Sequence, residues 1–437
     1  MFLTFEEKKE IINSIEEIIK IPKVIAEIIF NYYLNETIYS TNKAFAAKLA
    51  NGCVITWGDK HYGGDSSTVQ DKLQNVETIY STNTAFAAIL KNDTVITWGD
   101  QQNGGDSSAV KNKLKNVKNI YTTSYAFAAV LLDGSVVTWG DENKGGNSYN
   151  VQDKLQNVET IYSTWSAFAA KKKDGSVVTW GYKNEGGDSS IVQDKLKNVE
   201  TIYSTSGAFA AKLVDGSVVT WGDKNKGSDS SDVQDKLQNV DTIYSNETSF
   251  VAKLSTNQLI TWGSNIYGSN SSYIHKLKNV ETIYSTDLAF AAKLKNGNVI
   301  TWGDRFYGGD SSAVEEELKN VETIYSTGYA FAAKLEDGSI VTWGNHNYGA
   351  NSFFIKNKLQ NVETIYSTFT AFAAKLADGS VVTWGYKDFG GDSSTVQYKL
   401  QNVETIYSTG SAFAAKLKNG NVVSWGYSIN EGNFICY

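Results

Sequence analysis

A Trp-Gly pair recurs along almost the whole chain at a nearly fixed interval, and this period constrains the fold more than any other feature. Eight of the nine intervals between the tryptophans are 41 residues, and the interval from Trp262 to Trp302 is 40. Such a strict period is typical of one supersecondary unit that is copied and stacked. The sequence therefore predicts a single ten-repeat domain over residues 36–437. The ten units are numbered in order of their tryptophans: Trp57, Trp98, Trp139, Trp180, Trp221, Trp262, Trp302, Trp343, Trp384 and Trp425.

Each unit contains three short stretches with the composition of β-strands. In unit two these are VETIYST, AFAAIL and TVITWGD. In the second stretch Phe86 alternates with Ala87, which predicts a strand with one buried face, and lysine at the position of Ile89 in most units marks the outward face. An Asp-Gly pair before the third stretch, such as Asp133-Gly134, favours a two-residue hairpin turn.

A polar segment follows the third strand and leads to the next unit. In unit one Ser67 and Gln70 have the spacing of a helix capping box, and Val69 and Leu73 share one helical face. We expect a two-turn helix that ends near Asn75, with an extended segment as the alternative. The predicted unit is thus three strands and a short helix, and the predicted class is an all-β repeat protein.

The unit resembles the repeat of the regulator of chromosome condensation (RCC1-like) family in its leucine, Asp-Gly turn, valine, Trp-Gly pair and following glycine. These positions lie in the string IYSTxxAFAAKLxDGSVVTWGDxxxGG, which recurs over about residues 36–427. The resemblance implies a β-propeller, here a ring of ten three-stranded units. Because the chain starts and stops in phase with the repeat, an open superhelical stack is the alternative to this ring. Family members act as exchange factors for a small GTPase, as ubiquitin-ligase modules and as interaction scaffolds.

Residues 1–35 differ from the repeats and have helical spacing of their isoleucines, such as Ile11, Ile15 and Ile18. We expect a small α-helical cap over the first repeat, as stacked repeats require. The stretch IPKVIAEIIFNYYL also resembles the opening helix of an F-box, which would recruit an adaptor protein.

The composition argues against catalysis, cofactors and nucleic acid. The histidines His61, His275 and His346 lie in distant units at non-equivalent positions, and no spacing of catalytic or metal-binding residues emerges. A net charge of −7 with Arg305 as the single arginine disfavours a nucleic-acid partner. We therefore expect a non-enzyme that uses no cofactor and no metal.

The same composition bears on the compartment. Two cysteines, Cys53 and Cys436, do not make a disulfide framework, and no apolar run approaches the length of a membrane span. We therefore expect an intracellular protein, cytoplasmic or nuclear, that has no membrane partner.

The units differ from one another mainly in two short stretches, the pair before Ala-Phe and the triplet after Trp-Gly-Asp. An up-down-up order of strands places both stretches at one edge, and exposed aromatics at one edge are typical of protein interfaces. The candidate partner-binding residues, centred on units seven to nine, are Tyr267, Phe306, Tyr307, Tyr329, Tyr348, Phe369, Phe389 and Trp165.

Four functions follow from these observations as hypotheses. The first is a non-catalytic scaffold that binds a protein partner through this loop face. The alternatives are a substrate-recognition module of a ubiquitin ligase, a guanine-nucleotide exchange factor and a structural assembly protein.

Overall fold

The computed structural model describes residues 37–264, 274 and 277–427, which form ten three-stranded antiparallel sheets. Within each sheet the strand order follows the chain, so no sheet borrows a strand from another unit. The predicted cap over residues 1–35 lies outside the described residues. The first and third strands of every sheet end at the same edge of the ring, which we call the upper edge.

The strands occupy equivalent positions in all ten units. The first strands are Thr37–Ser40, Val76–Ser81, Val117–Thr122, Val158–Ser163, Val199–Ser204, Val240–Ser245, Val280–Ser285, Val321–Ser326, Val362–Ser367 and Val403–Ser408. The middle strands are Ala44–Lys48, Ala85–Leu90, Ala126–Leu131, Ala167–Lys172, Ala208–Leu213, Ser249–Leu254, Ala289–Leu294, Ala330–Leu335, Ala371–Leu376 and Ala412–Leu417. The third strands are Val54–Gly58, Val95–Gly99, Val136–Gly140, Val177–Gly181, Val218–Gly222, Leu259–Gly263, Val299–Gly303, Ile340–Gly344, Val381–Gly385 and Val422–Gly426.

Short helical turns follow the third strands. Those at the upper edge are Lys60–Tyr62, Gln101–Gly105, Glu142–Lys144, Lys183–Glu185, Lys224–Lys226, Arg305–Tyr307, His346–Tyr348 and Lys387–Phe389. The connecting turns that lead to the next unit are Gln70–Lys72, Ser108–Val110, Tyr149–Lys154, Gln193–Lys195, Gln234–Lys236, Ser312–Glu317, Phe353–Lys358 and Gln397–Lys399. None of the helical segments described is long and apolar enough to cross a membrane.

The ring is closed, because unit ten packs against unit one. Trp57 Nε1 donates to Ser424 Oγ at 3.1 Å, and Ser40 Oγ donates to the Ser408 carbonyl at 2.9 Å. Ala414 of unit ten lies in one buried cluster with residues of unit one, among them Cys53. These contacts decide between the two predicted architectures in favour of a propeller-like ring and exclude the open superhelix.

Each sheet is buried on both faces, which corrects the prediction of a single core face. In unit two Phe86 packs towards unit one, whereas Ala87 packs against Phe127 of unit three. Small residues on one face of every middle strand therefore receive the phenylalanine of the next unit. Lysine at the position of Ile89 does not mark a solvent face, since Lys171 is only 15% exposed.

The Phe-Trp pair forms the repeated centre of each interface between units. Phe86 stacks on Trp98 of the same sheet with ring centroids 5.1 Å apart, and Trp98 Nε1 donates to the carbonyl of Gly63 in unit one at 3.0 Å. Gly63 has a φ of +91°, and a Cβ there would lie 2.6 Å from the Phe86 ring. Glycine is needed here both for the backbone angle and for the close approach.

Two local predictions were wrong in detail. The hairpin loop holds three residues, because Gly134 N donates to the Leu131 carbonyl and Leu131 N to the Ser135 carbonyl. Of the Asp-Gly pair only Gly134 has a positive φ, as in a type I turn with a glycine bulge.

The predicted helix near Ser67 is a single 3₁₀ turn. Ser66 in place of Ser67 bonds Gln70, and Gln70 Nε2 donates to the Val54 carbonyl at 2.8 Å. Gln70 is thus engaged by the sheet and does not cap a helix.

Candidate functional site

The first strands lie innermost, and their upper ends surround a central cavity. First strands of successive units contact one another, and the cavity has a volume of about 760 Å³. We call its rim the upper mouth, defined by the first residue of each variable pair: Asn42, Asn83, Ser124, Trp165, Ser206, Glu247, Asp287, Gly328, Phe369 and Gly410.

A belt of backbone hydrogen bonds fixes the rim. From unit one to unit nine, the amide of the rim residue donates to the carbonyl of the rim residue in the next unit, from Asn42 N to Asn83 O at 3.0 Å through to Phe369 N to Gly410 O at 3.0 Å. The rim backbone is thereby uniform from unit one to unit ten, so these units differ at the mouth mainly in their side chains.

The two variable stretches lie at the same edge, as predicted. In units one to five and seven to nine, a threonine precedes the rim residue and donates to the carbonyl of the last residue of the triplet. Thr286 Oγ1 bonds Tyr307 O at 2.8 Å, and Thr368 Oγ1 bonds Phe389 O at 3.0 Å. The triplet of each of these units is therefore held beside the mouth of its own unit.

Aromatic side chains of units seven to ten form a continuous chain of ring contacts along this edge. We call this set the aromatic arc: Tyr307, Tyr329, Tyr348, Phe369, Tyr386, Phe389 and Tyr427. Tyr329 is its hub, with ring centroids 4.8 Å from Tyr307, 4.7 Å from Tyr348 and 5.2 Å from Phe369. Phe369 is 42% exposed and Tyr427 45%, so the arc is accessible as well as packed.

The structure brings five of the eight predicted partner-binding residues into the arc: Tyr307, Tyr329, Tyr348, Phe369 and Phe389. Phe306 is exposed beside Arg305, whose guanidinium carbon lies 4.6 Å from its ring centroid, and it makes no ring contact with the arc among the described residues. Trp165 lies elsewhere on the rim, in unit four, with Lys226 Nζ 5.4 Å from its ring. Tyr267 lies outside the described residues.

Sequence reasoning missed two members of the arc and two acids on the rim. Tyr386 and Tyr427 replace the aspartate that follows Trp-Gly in five of the ten units, and this replacement is the signal that identifies them. Glu247 and Asp287 occupy a variable position but are not aromatic, so a search for aromatics passed over them. Phe353, 77% exposed, is on a connecting turn away from the mouth.

The two rim acids lie next to the arc and are both half-buried. Burial raises the pKa of Asp287 to about 7, with a further contribution from the charge of Glu247. Burial likewise raises the pKa of Glu247, which Lys226 partly offsets. Burial raises the pKa of Tyr307 to about 12, and the neighbouring Tyr329 and Asp287 act in the same direction.

The described residues offer little for metal or nucleophilic chemistry. They contain no group of three or more histidine, cysteine, aspartate or glutamate side chains that would hold a metal ion. His61 and His346 are exposed in units one and eight, and His275 is outside the described residues. Cys53 is buried between units one and ten, and Cys436 is outside the described residues.

No family model matches the chain, and no curated protein matches it significantly. Among solved structures, yeast RCC1 (Prp20) bound to Kap60 is 16% identical, with 93% of this chain and 92% of that chain covered and a TM-score of 0.38. The CRINKLY WD40 ectodomain of the Arabidopsis thaliana receptor kinase ACR4 is 14% identical, with 62% and 98% covered and a TM-score of 0.33. At such TM-scores these similarities carry no conclusion about partners or activity.

Proposed function

We propose that this protein is a non-catalytic scaffold that binds a protein partner through the upper edge of its ring. The aromatic arc carries the proposal. Packed yet accessible aromatic side chains are the residue types that dominate protein interfaces, because they bury a large area at low entropic cost. The uniform rim backbone presents these side chains without local rearrangement.

The proposal is tested by affinity capture from extracts of the native host with the full-length chain as bait. The arc variant combines Phe369→Ala, Tyr386→Ala and Tyr427→Ala, which remove exposed side chains at the upper edge. The matched control combines Phe353→Ala and Phe354→Ala, which remove comparable exposed aromatic area from a connecting turn.

We expect proteins captured by the wild type to be lost with the arc variant and retained with the control, while circular dichroism stays unchanged for both. Retention by the arc variant, or equal loss with both variants, would show that the upper edge is not the binding surface. The loss per buried aromatic anchor is expected to be about 2 kcal/mol or more of binding free energy.

A further inference from the structure

The rim acids and the aromatic hub lie together around one glycine of the upper mouth. A Cβ at Gly328 would lie 2.9 Å and 3.1 Å from the carboxylate oxygens of Asp287 and 2.7 Å from the ring of Phe369. The charge of Asp287 also raises the pKa of Tyr307 and of Tyr329, so its carboxylate lies within electrostatic reach of both tyrosines. The absence of a side chain at Gly328 lets the carboxylate and the ring approach its backbone closely, and together they form an acidic and aromatic recess that lines the cavity.

Elsewhere at the upper edge, the protein places its own ammonium groups on aromatic rings. Lys144 Nζ lies 3.5 Å from the ring centroid of Tyr125 in unit three, and Lys43 Nζ lies 4.9 Å and 5.2 Å from Tyr62 and Tyr427. Such contacts are favourable because the negative face of the ring attracts a cation.

Unit eight has the corresponding pair of positions, but an aromatic residue replaces the lysine. Tyr329 occupies the position of Tyr125, but Tyr348 stands where unit three has Lys144. Within residues 37–264 and 277–427, no ion pair joins Asp287 or Glu247 to a lysine or arginine. Lys226, the cation that influences Glu247, is paired with Glu185 at 3.2 Å. The recess thus combines two acids and several ring faces without a paired cation of its own.

We propose that this recess binds a lysine or arginine side chain of a basic protein segment, held by the Asp287 carboxylate and by the rings of Tyr329 and Phe369. This inference rests on the proposed function and specifies the chemistry of the partner. A cation there gains a charge-assisted contact and a cation–π contact in a partly desolvated place, where both are stronger than in water. The acids also repel anionic segments, so the site prefers cationic segments to anionic ones.

The test uses labelled hexalysine as the probe and fluorescence anisotropy with the full-length chain at low ionic strength, where screening is weakest. The variant Asp287→Asn/Glu247→Gln removes the rim charges with little change in shape. In a buffer well above the Asp287 pKa of about 7, the variant Glu142→Gln/Asp153→Asn removes the same net charge from exposed positions away from the recess and serves as its control. Phe369→Ala tests the aromatic contribution separately.

We expect the rim double variant to weaken hexalysine binding at least about tenfold and Phe369→Ala to weaken it about fivefold, while the control stays within about twofold. Acetylated hexalysine, which lacks the charges, should not bind. Absence of hexalysine binding to the wild type, or equal weakening by both double variants, overturns the proposal, since the latter reflects only the overall charge of −7. Choline that binds more tightly than hexalysine would also overturn it, because the site would then serve a small molecule.

The two proposals fail in different ways. If partners are captured through the arc but hexalysine does not bind at the rim, only the cationic specificity is wrong. If capture does not depend on the arc, the proposed scaffold function is wrong, whatever hexalysine does.

Discussion

At the residue scale, the ring is built on a size match between phenylalanine and alanine. Phe209 packs in one buried cluster with Ala167 and Ala169 of the preceding unit, and the equivalent residues repeat this arrangement around the ring, with Val251 at the position of Ala169 in unit six. Protein interiors are close-packed, so a side chain much larger than valine in place of Ala169 would force two sheets apart. This explains why Ala-Phe-Ala varies so little between units while the adjacent rim residues vary freely.

Asp287 gives a residue-scale prediction for stability against pH. Its pKa is about 7 in the folded protein and near 3.8 in the unfolded chain, so between these values the folded state holds more protons. Stability therefore falls as pH rises through this window. In urea unfolding, we expect the free energy of unfolding of Asp287→Asn to rise by about 1 to 2 kcal/mol relative to the wild type between pH 5 and pH 8. This is less than the energy equivalent of the whole pKa shift, because the carboxyl is partly solvated.

The control for this experiment is Asp215→Asn on an exposed hairpin loop. Hydrogen bonds from Ser217 lower the pKa of Asp215, so its contribution is complete above about pH 4. Its difference from the wild type should stay constant from pH 5 to pH 8. A constant difference for Asp287→Asn as well would contradict the burial of that carboxyl.

At the scale of the element, the connecting turns are held by the sheet and not by helix capping. Gln193 Nε2 donates to the Val177 carbonyl at 3.0 Å, and its Oε1 accepts from Ser189. Units two, six, seven and eight lack this glutamine, with Lys111 in unit two at the equivalent position. The hydrogen bond from this glutamine to the strand carbonyl therefore stabilises some units but is not required for the fold.

We expect Gln193→Ala to lower the free energy of unfolding by about 1 kcal/mol, because a strand carbonyl loses its partner. Lys111→Ala should change it by less than about 0.5 kcal/mol, as for other surface positions. Thermal and urea unfolding of both variants measure the difference. Equal effects of the two variants would mean that the hydrogen bond of Gln193 contributes nothing.

The strands and the shared upper edge are predictable from the sequence because they depend on local alternation and strand direction. The helix and hairpin predictions were wrong because competing contacts decide them: Gln70 bonds Val54 across the unit, and Gly134 alone takes the positive φ. The arc was partly predictable, since aromatics stand out among aligned units. The part of Asp287 in the site was not predictable, because it depends on burial beside Phe369, which belongs to a different unit.

At the scale of the whole molecule, the central feature is closure of ten identical sheets into a ring. Closure depends on the small rotation between neighbouring units, which is set by packing and accumulates over ten units. The sequence alone therefore does not decide between a ring and a superhelix. Closure also completes the upper mouth, since the rim residues of all ten units surround one cavity only when unit ten meets unit one. The proposed binding edge therefore depends on it.

Closure is tested most directly by the distance between the two ends of the array. Asn51, Asn92 and Asn419 occupy the same position in the hairpin loops of units one, two and ten, where each accepts a hydrogen bond from the residue two positions later. Spin labels on cysteines at these asparagines, in a background with Cys53→Ala and Cys436→Ser, allow electron–electron distance measurements. In a closed ring the 51–419 pair and the 51–92 pair both join adjacent units and should give matching distance distributions. A 51–419 distance much longer than the 51–92 distance would contradict the closed ring.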